Sequence, residues 1–310
     1  MQKKNKIVYI VVGSTASGKS GLALDLAEYL NGVVINADSL QVYEALSLLT
    51  ARPTPEDLKR TPHALYGVVQ DPHETYSVAR WHADALCEIE KAFKENKTPI
   101  LVGGTGLYIK ALLEGLNEVP EVEPLIRTQL RERSLLQGGI QTLYKDLQQQ
   151  DSEGAARLKP NDTQRIIRAL EVLLSTGKPL HEWQSKKSTP LAYEHKVIYI
   201  NPSREEVVAH AKKRLEVMFE EGAIEEVKTL LDQGISSECS LRKAVGVREI
   251  EAYLSGVLTK EEAFEKSFIA TRQYIKRQQT WFSRQLKTDR VIDRCYDSSL
   301  NLRMILERKE

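Results

Sequence analysis

Apolar segments of strand length alternate with amphipathic segments in the first third of the chain. Residues 7–12 are continuously apolar and rich in β-branched side chains, which is typical of a strand buried on both faces of a parallel sheet. A helix is predicted over 21–30, a second strand over 33–36 and a third over 98–102. This alternation predicts a doubly wound α/β sheet whose ligands bind at the carboxyl ends of the strands.

The pattern changes near the middle of the chain. Residues 121–195 have helical periodicity without a convincing strand, including a helix over 161–175 with Asp162 as its N-cap. The later pattern predicts a strand, two long helices and an edge strand, over 196–200, 204–221, 261–287 and 290–292. We therefore predict a catalytic core formed by 1–120 and 196–310, with 121–195 as a helical insertion domain.

The loop after the first predicted strand carries a phosphate-binding motif. Its sequence, GSTASGKS, matches G-x-x-x-x-G-K-[ST] without exception, between a strand and a helix. The backbone N–H groups would form an anion nest at a helix N-terminus, where the helix dipole favours negative charge. Lys19 would contact the outer phosphate, and Ser20 would bind Mg²⁺. The predicted phosphate-binding residues are Gly13, Ser14, Thr15, Ala16, Ser17, Gly18, Lys19 and Ser20. The core is thus a P-loop sheet like that of nucleotide kinases.

The end of the third strand argues against motor-like NTP hydrolysis. An NTPase needs an acid at a strand end to hold Mg²⁺ and position water. The strand over 98–102 instead ends in Gly103–Gly104–Thr105–Gly106, which opens a helix. Transfer chemistry on a bound diphosphate or triphosphate is therefore favoured. Thr105 is expected in the same crevice as the P-loop, although a plain strand-to-helix turn explains this glycine-rich loop equally well.

Asp38 follows the second predicted strand and would face the phosphates. A carboxylate beside a phosphate site is explained if it accepts a proton from an attacking nucleophile. The alternative is that Asp38 caps a following helix together with Ser39 and Gln41. Both interpretations remain open from the residues alone.

Charge and composition add one further feature. The net charge is only +1, yet Lys266 to Arg290 contains seven basic residues and a single acid. Tyr274 and Trp281 are interleaved with these cations, a combination that suits a nucleic-acid backbone and unstacked bases. A solvated charged helix face is the alternative.

Other sequence features predict the compartment. The three cysteines are widely separated, which favours a reducing compartment and disfavours structural zinc. No apolar run is long enough to span a membrane, and the apolar stretch after the basic segment 1–6 is too short for a signal peptide. We expect a cytoplasmic, monomeric protein without membrane contact, whose first residues form a solvated tail.

With these residues in place, the chain resembles the tRNA dimethylallyltransferases, also called tRNA isopentenyltransferases. The resemblance extends over nearly the whole chain in motifs that occur in the family's order. They are the P-loop, Asp38-Ser39-x-Gln41-Val42-Tyr43, Thr50-Ala51-Arg52-Pro53, Gly103 to Tyr108, Asn161-Asp162-x-Gln164-Arg165, Arg168 to Val172, Ala244 to Glu249 and Arg277-Gln278-x-Thr280-Trp281-Phe282.

The resemblance implies transfer of the dimethylallyl group of dimethylallyl diphosphate to N6 of the adenosine 3′ of the anticodon, with diphosphate as the leaving group. It implies Asp38, Thr105 and Arg214 as catalytic residues, Mg²⁺ as cofactor and the tRNA anticodon stem-loop as partner. It implies tRNA contacts by Asp38, Ser39, Leu40, Gln41, Thr105, Arg127, Gln164, Arg165, Ile166, Ile167, Arg168, Arg242, Lys243, Arg248 and Arg272. The rival hypotheses are a small-molecule kinase that binds ATP on the P-loop and a non-catalytic RNA-binding P-loop protein.

Overall fold

The computed structural model describes residues 6–117, 119–185, 189–236 and 239–307, so the predicted N-terminal tail lies mostly outside the described residues. The chain divides into two compact units. The first combines Met1–Leu113 with Leu191–Glu310, and the second is Glu114–Pro190. The predicted insertion domain, 121–195, overlaps most of this second unit, which begins and ends earlier in the chain.

The first unit contains a parallel sheet. Its strands are β1 (Ile7–Gly13), β2 (Gly32–Asn36), β3 (His63–Ala64), β4 (Thr98–Gly103), β5 (Glu194–Ile200) and β6 (Arg290–Ile292). Their spatial order is β3-β2-β4-β1-β5-β6, and every pairing is parallel. The predicted parallel α/β sheet is confirmed, including its edge strand β6. The two-residue strand β3 was not predicted, because its sequence is too short to show a period.

The helices fall into two sets. The first unit contains α1 (Lys19–Leu30), α2 (Pro55–Arg60), α3 (Val78–Lys94), α4 (Gly106–Glu114), α10 (Arg204–Glu220), α11 (Ala223–Asp232), α12 (Val247–Leu254), α13 (Lys260–Gln285), α14 (Leu302–Leu306) and a 3₁₀ helix (Ser240–Lys243). The second unit contains α5 (Pro124–Leu135), α6 (Gly139–Gln150), α7 (Ser152–Ala156), α8 (Thr163–Thr176) and α9 (Leu180–Gln184). Helix α4 ends at the boundary between the units.

Strand β1 is apolar throughout because both of its faces are covered. Val8, Ile10 and Val12 belong to one buried cluster, which also contains Trp81 of α3. Val11 points to the other face and packs in a second cluster with α1 residues such as Leu22. Alternate side chains of a strand point to opposite faces, so a strand between two helical layers needs apolar residues at every position.

The second unit has its own apolar core, formed by residues from α5 to α8 and exemplified by Leu130, Leu143 and Leu170. The predicted cap of α8 is confirmed, since the Asp162 side chain accepts a hydrogen bond from Arg165 N. Helix α8 ends at Gly177, whose φ of 68° lies in the left-handed region that glycine adopts without strain. No described helix is long and apolar enough to span a membrane.

Candidate active site

The P-loop joins the end of β1 to the start of α1, at the carboxyl edge of the sheet. Gly18 precedes α1 with φ of 87°, and no side chain caps the helix. The first N–H groups of α1 are therefore directed to the crevice, where they attract an anion. Gly13 lies so close to Ile200 O and the Ser17 side chain that a Cβ there would be 2.9 Å from the carbonyl oxygen. Gly18 therefore allows the backbone to turn with a positive φ, and Gly13 allows close packing against the neighbouring strand.

Two cations from separate elements meet at this loop. Lys19 Nζ donates to Ser14 O at 3.2 Å, and Arg214 of α10 donates through Nη2 to Thr15 Oγ1. Burial lowers the pKa of Lys19 to about 8, with Asp38 opposing the shift and Arg214 adding to it. Burial also lowers the pKa of Arg214, again opposed by Asp38. Desolvated positive charge of this kind favours the binding of a polyanion.

Asp38 lies just beyond β2 and is held by its own backbone neighbours. Asn36 Oδ1 accepts from Asp38 N at 2.8 Å, and Asn36 Nδ2 donates to Asp38 O at 3.0 Å. The Asp38 carboxylate accepts from Leu40 N at 3.0 Å in a short turn. No helix starts among residues 39–53, so the helix-cap alternative for Asp38 is wrong. Its carboxylate is fixed by a turn on the phosphate side of the sheet.

The loop after β4 reaches Asp38 from the neighbouring strand. Thr105 Oγ1 accepts from Ser39 N at 3.0 Å and lies 3.3 Å from Ser39 Oγ. Gly103 packs directly on the backbone of Ala37, where a Cβ would overlap the carbonyl group. Glycine at position 103 therefore permits the two backbones to approach closely. The loop lies beside Asp38 because β2 and β4 are hydrogen-bonded neighbours.

Sequence reasoning missed the segment that supports the P-loop from behind. Tyr296 N donates to Ser17 O at 3.0 Å, and a Cβ on Gly18 would be 2.5 Å from Tyr296 O. The Tyr296 hydroxyl donates to Asp25 of α1 at 2.7 Å. Cys295 N is in turn bonded to Glu206 of α10 at 2.8 Å. These contacts come from the far end of the chain, and no local signal in the sequence marks them.

A second missed residue is Gln278 of α13, which is 6% exposed. Its Oε1 accepts from Thr15 N at 2.8 Å, and its Nε2 donates to Gly104 O at 3.0 Å. One side chain therefore touches both the P-loop and the loop after β4. Its place in the motif Arg277-Gln278-x-Thr280-Trp281-Phe282 was the available signal.

The remaining tRNA-contact predictions in the first unit differ in exposure. Lys243, Arg248 and Arg272 are exposed. Arg242 is mostly buried, pairs with Glu251 and donates to Ile235 O, which gives it a structural contact. Gln41 uses Nε2 to close its own loop, at 2.7 Å from Thr50 O and 3.0 Å from Ala51 O.

In the second unit, the predicted residues lie on α5 and α8. Arg127 and Arg168 share the buried carboxylate of Glu171, at 3.6 and 3.3 Å. Gln164 and Arg165 are exposed, and Ile167 is partly buried. Ile166 is 0% exposed in the apolar core. Helix α8 turns this side chain inward, and the tRNA contact predicted for Ile166 stays a prediction.

The predicted cofactor of this crevice is Mg²⁺. Among the described residues, no group of three or more His, Cys, Asp or Glu side chains could enclose a metal ion. Ser20, by contrast, is exposed in the first turn of α1, beside the anion nest. Mg²⁺ keeps several waters and is bound by few protein oxygens together with substrate phosphates. The residues present fit a magnesium ion carried with a polyphosphate.

Known proteins with similar sequences and folds share this architecture. A family model described as IPP transferase matches residues 41–285. A tRNA dimethylallyltransferase of Chelativorans sp. (strain BNC1) is 45% identical over 282 residues, which cover 90% of this chain and 96% of that protein.

Solved structures agree. The full-length tRNA isopentenylpyrophosphate transferase from Bacillus halodurans has a TM-score of 0.69 at 33% identity, with 97% of this chain and 94% of that chain covered. A eukaryotic dimethylallyltransferase acting on tRNA has a TM-score of 0.76 at 27% identity, covering 90% and 70%. The resemblance seen in the motifs is confirmed, and the chain belongs to the IPP transferase family, the tRNA dimethylallyltransferases.

Proposed function

We propose that this enzyme transfers the dimethylallyl group of dimethylallyl diphosphate to N6 of the adenosine 3′ of the anticodon in tRNA, releasing diphosphate. One observation carries the proposal. The uncapped N-terminus of α1, two desolvated cations and a fixed carboxylate lie together at one edge of the sheet in the first unit. This combination suits a diphosphate leaving group opposite a base.

The P-loop amides, Lys19 and Arg214 hold the diphosphate. As the allylic C–O bond breaks, its electron pair passes to the diphosphate oxygen, where negative charge accumulates. Preorganised donors aimed at that charge stabilise the transition state more than the ground state. Ser20 would hold a Mg²⁺ ion together with the phosphate oxygens, and such an ion would add to the neutralisation of the leaving group.

Asp38 serves as the base. The adenine N6 forms the new N–C bond and loses one proton, which the Asp38 carboxylate accepts. Thr105 bonds Ser39 beside Asp38 and orients this side of the crevice. Because N6 of a stacked adenosine is not accessible to such a pocket, the base leaves its stack before reaction.

The exposed cations provide the RNA-binding surface. Three of these exposed cations lie in the first unit, namely Lys243, Arg248 and Arg272. The second unit presents Arg165, which is exposed and approaches Asp162 at 3.5 Å. Phosphate contacts by such side chains supply affinity that falls with salt. We assign the second unit, Glu114–Pro190, to the anticodon stem-loop.

The test is to incubate the protein with labelled dimethylallyl diphosphate, Mg²⁺ and unmodified tRNA. We expect label on tRNA and stoichiometric diphosphate release. Asp38→Asn should lose at least about a hundredfold in turnover, the range of one general base, and retain diphosphate binding. Asp71→Asn is the matched control, since Asp71 is an exposed acid whose carboxylate accepts from His73 N within its own loop.

The kinase alternative gives a different result in the same assay. If ATP loses its γ-phosphate to a small metabolite and tRNA stays unlabelled, the transferase proposal is wrong. Equal turnover of Asp38→Asn and the wild type would remove Asp38 from the reaction while leaving the transferase assignment intact.

A further inference from the structure

Gln278 bonds two loops that hold opposite parts of the proposed reaction. It lies on α13, and its carboxamide is almost completely buried. Oε1 accepts from Thr15 N at 2.8 Å, and Nε2 donates to Gly104 O at 3.0 Å. The first loop follows β1 and the second follows β4, which are neighbouring strands.

The carboxamide satisfies both bonds from one planar group. An ionised carboxylate can accept from Thr15 N but has no proton to donate to Gly104 O, and a thioether has no donor and is only a weak acceptor. The partner position is equally constrained, because a Cβ on Gly104 would overlap Gln278 Nε2. Glycine at 104 and glutamine at 278 therefore fit as a pair.

Each bonded loop leads to a different side of the crevice. Thr15 accepts through its hydroxyl from Arg214, so its position sets where that guanidinium meets the diphosphate. Gly104 precedes Thr105, whose hydroxyl accepts from Ser39 N next to Asp38. Gln278 thus joins the leaving-group side to the base side through two hydrogen bonds from one side chain.

We propose that Gln278 is a positioning residue that sets the separation between the diphosphate-binding P-loop and the loop supporting Asp38. This inference rests on the proposed alkyl transfer, in which the base acts on the attacking N6 and the diphosphate leaves from the opposite side of the allylic carbon. A misplacement of about 1 Å in such an arrangement costs roughly a hundredfold in rate. The loss falls on turnover more than on binding, because each loop keeps its own ligand contacts.

The variants are Gln278→Met, which keeps length and removes both bonds, and Gln278→Glu, which keeps the acceptor for Thr15 N. Gln279→Met is the matched control, because Gln279 is the next residue on α13 and bonds Pro202 O at 3.1 Å instead. Gly104→Ala breaks the same link from the other side. Each protein is measured for kcat, KM for tRNA, diphosphate affinity and thermal unfolding.

We expect kcat of Gln278→Met and Gly104→Ala to fall roughly a hundredfold, with diphosphate affinity within about threefold of wild type and Gln279→Met unaffected. A protonated glutamic acid can donate to Gly104 O, so the ratio of Gln278→Glu to wild-type kcat should rise as the pH falls from 8 to 6. Wild-type kcat in Gln278→Met, or equal losses of kcat and diphosphate affinity, would overturn the proposal.

A readout independent of turnover separates this inference from the proposed function. Amide hydrogen exchange at Thr15 should accelerate at least about tenfold in Gln278→Met, since the amide loses its acceptor, and stay slow in Gln278→Glu. If the wild type shows this protection but transfers no dimethylallyl group, the reaction is wrong and the link is real. Unchanged exchange at Thr15 in Gln278→Met would overturn the link itself.

Discussion

The Asn36 side chain makes hydrogen bonds to both backbone groups of Asp38: Oδ1 accepts from Asp38 N at 2.8 Å, and Nδ2 donates to Asp38 O at 3.0 Å. The same side-chain nitrogen donates to Leu65 O at 3.0 Å, and the backbone carbonyl of Asn36 accepts from Trp81 Nε1 at 2.8 Å. Asn36 is 0% exposed at the end of an otherwise apolar strand. A buried amide with this set of partners fixes the proposed base relative to the sheet.

We predict that Asn36→Ala lowers both stability and turnover. Three backbone groups at Asp38 and Leu65 lose their partner. An unsatisfied buried group costs about 1–3 kcal/mol, and the two groups at Asp38 cost less than Leu65 O because their bonds are only partly buried. The free energy of unfolding in urea should fall by about 2–4 kcal/mol, and kcat by at least about tenfold. Diphosphate affinity should persist, since the P-loop is on β1.

Asn36→Asp serves as the companion variant. Its carboxylate still accepts from Asp38 N but cannot donate to Asp38 O or Leu65 O, and it adds negative charge beside the base. Turnover should therefore fall here as well. Wild-type kcat in both variants would show that Asp38 does not depend on Asn36.

The pH dependence of diphosphate binding should follow Lys19. Burial lowers the pKa of Lys19 to about 8 in the free protein, so the ammonium is largely present at pH 7 and largely lost at pH 9. Because the phosphates bind the charged form, affinity should decrease as the pH rises through about 8. Between pH 7 and pH 9 the charged fraction of Lys19 falls roughly tenfold. The resulting loss of affinity can be measured by calorimetric titration with inorganic diphosphate.

Lys19→Arg is the control for this profile. Its guanidinium stays protonated throughout the range, so the variant should lack the Lys19 contribution to the fall. The ionisation of diphosphate itself is common to both proteins and cancels in their ratio. A constant ratio from pH 7 to pH 9 would contradict the assignment of the titration to Lys19.

Glu226 of α11 should stabilise the loop that follows Asp38. Its carboxylate accepts from Ser47 N at 2.6 Å, Leu48 N at 2.8 Å and Leu49 N at 2.8 Å. We predict that Glu226→Ala lowers the free energy of unfolding by about 2 kcal/mol, because three backbone donors lose a charged acceptor. Limited proteolysis should also cleave the segment near Leu49 faster.

Glu225→Ala provides the comparison, because Glu225 is the preceding residue on α11 and is exposed. It carries the same charge at the same helix N-terminus, so general effects of charge are equal in the two variants. Identical stability and cleavage rates for both would contradict an anchoring role of Glu226.

Arg165 should contribute to the salt dependence of tRNA binding. Its side chain is 75% exposed on α8 and approaches the Asp162 carboxylate at 3.5 Å. Arg165→Ala should weaken binding and reduce the slope of log affinity against log salt by about 1, the value for one phosphate contact. Arg157→Ala is the control, because Arg157 is exposed in the same unit and pairs with Glu153 at 2.5 Å. Equal slopes for wild type and Arg165→Ala would exclude a phosphate contact.

Local sequence was sufficient for the features whose parts are contiguous. The strand 7–12, the glycine-rich loop and the following helix lie within one stretch of chain, so their order alone predicted a phosphate site at a strand end. The cap at Asp162 and the stop at Gly177 were predictable for the same reason. The motifs also sufficed to identify the family, because their order extends over nearly the whole chain.

Tertiary structure decided which distant side chains complete the site. Gln278 bonds a residue 263 positions away, and Tyr296 supports Ser17 from the other end of the chain. Helical periodicity placed α13 correctly but could not say which of its faces meets the P-loop. Ile166 shows the converse, since a motif suggested RNA contact and the rotation of α8 buries the side chain. Local sequence patterns determine which segments form helices or strands and which side chains tend to be buried. The crevice, by contrast, is formed by elements that are distant in sequence and meet only when the chain packs.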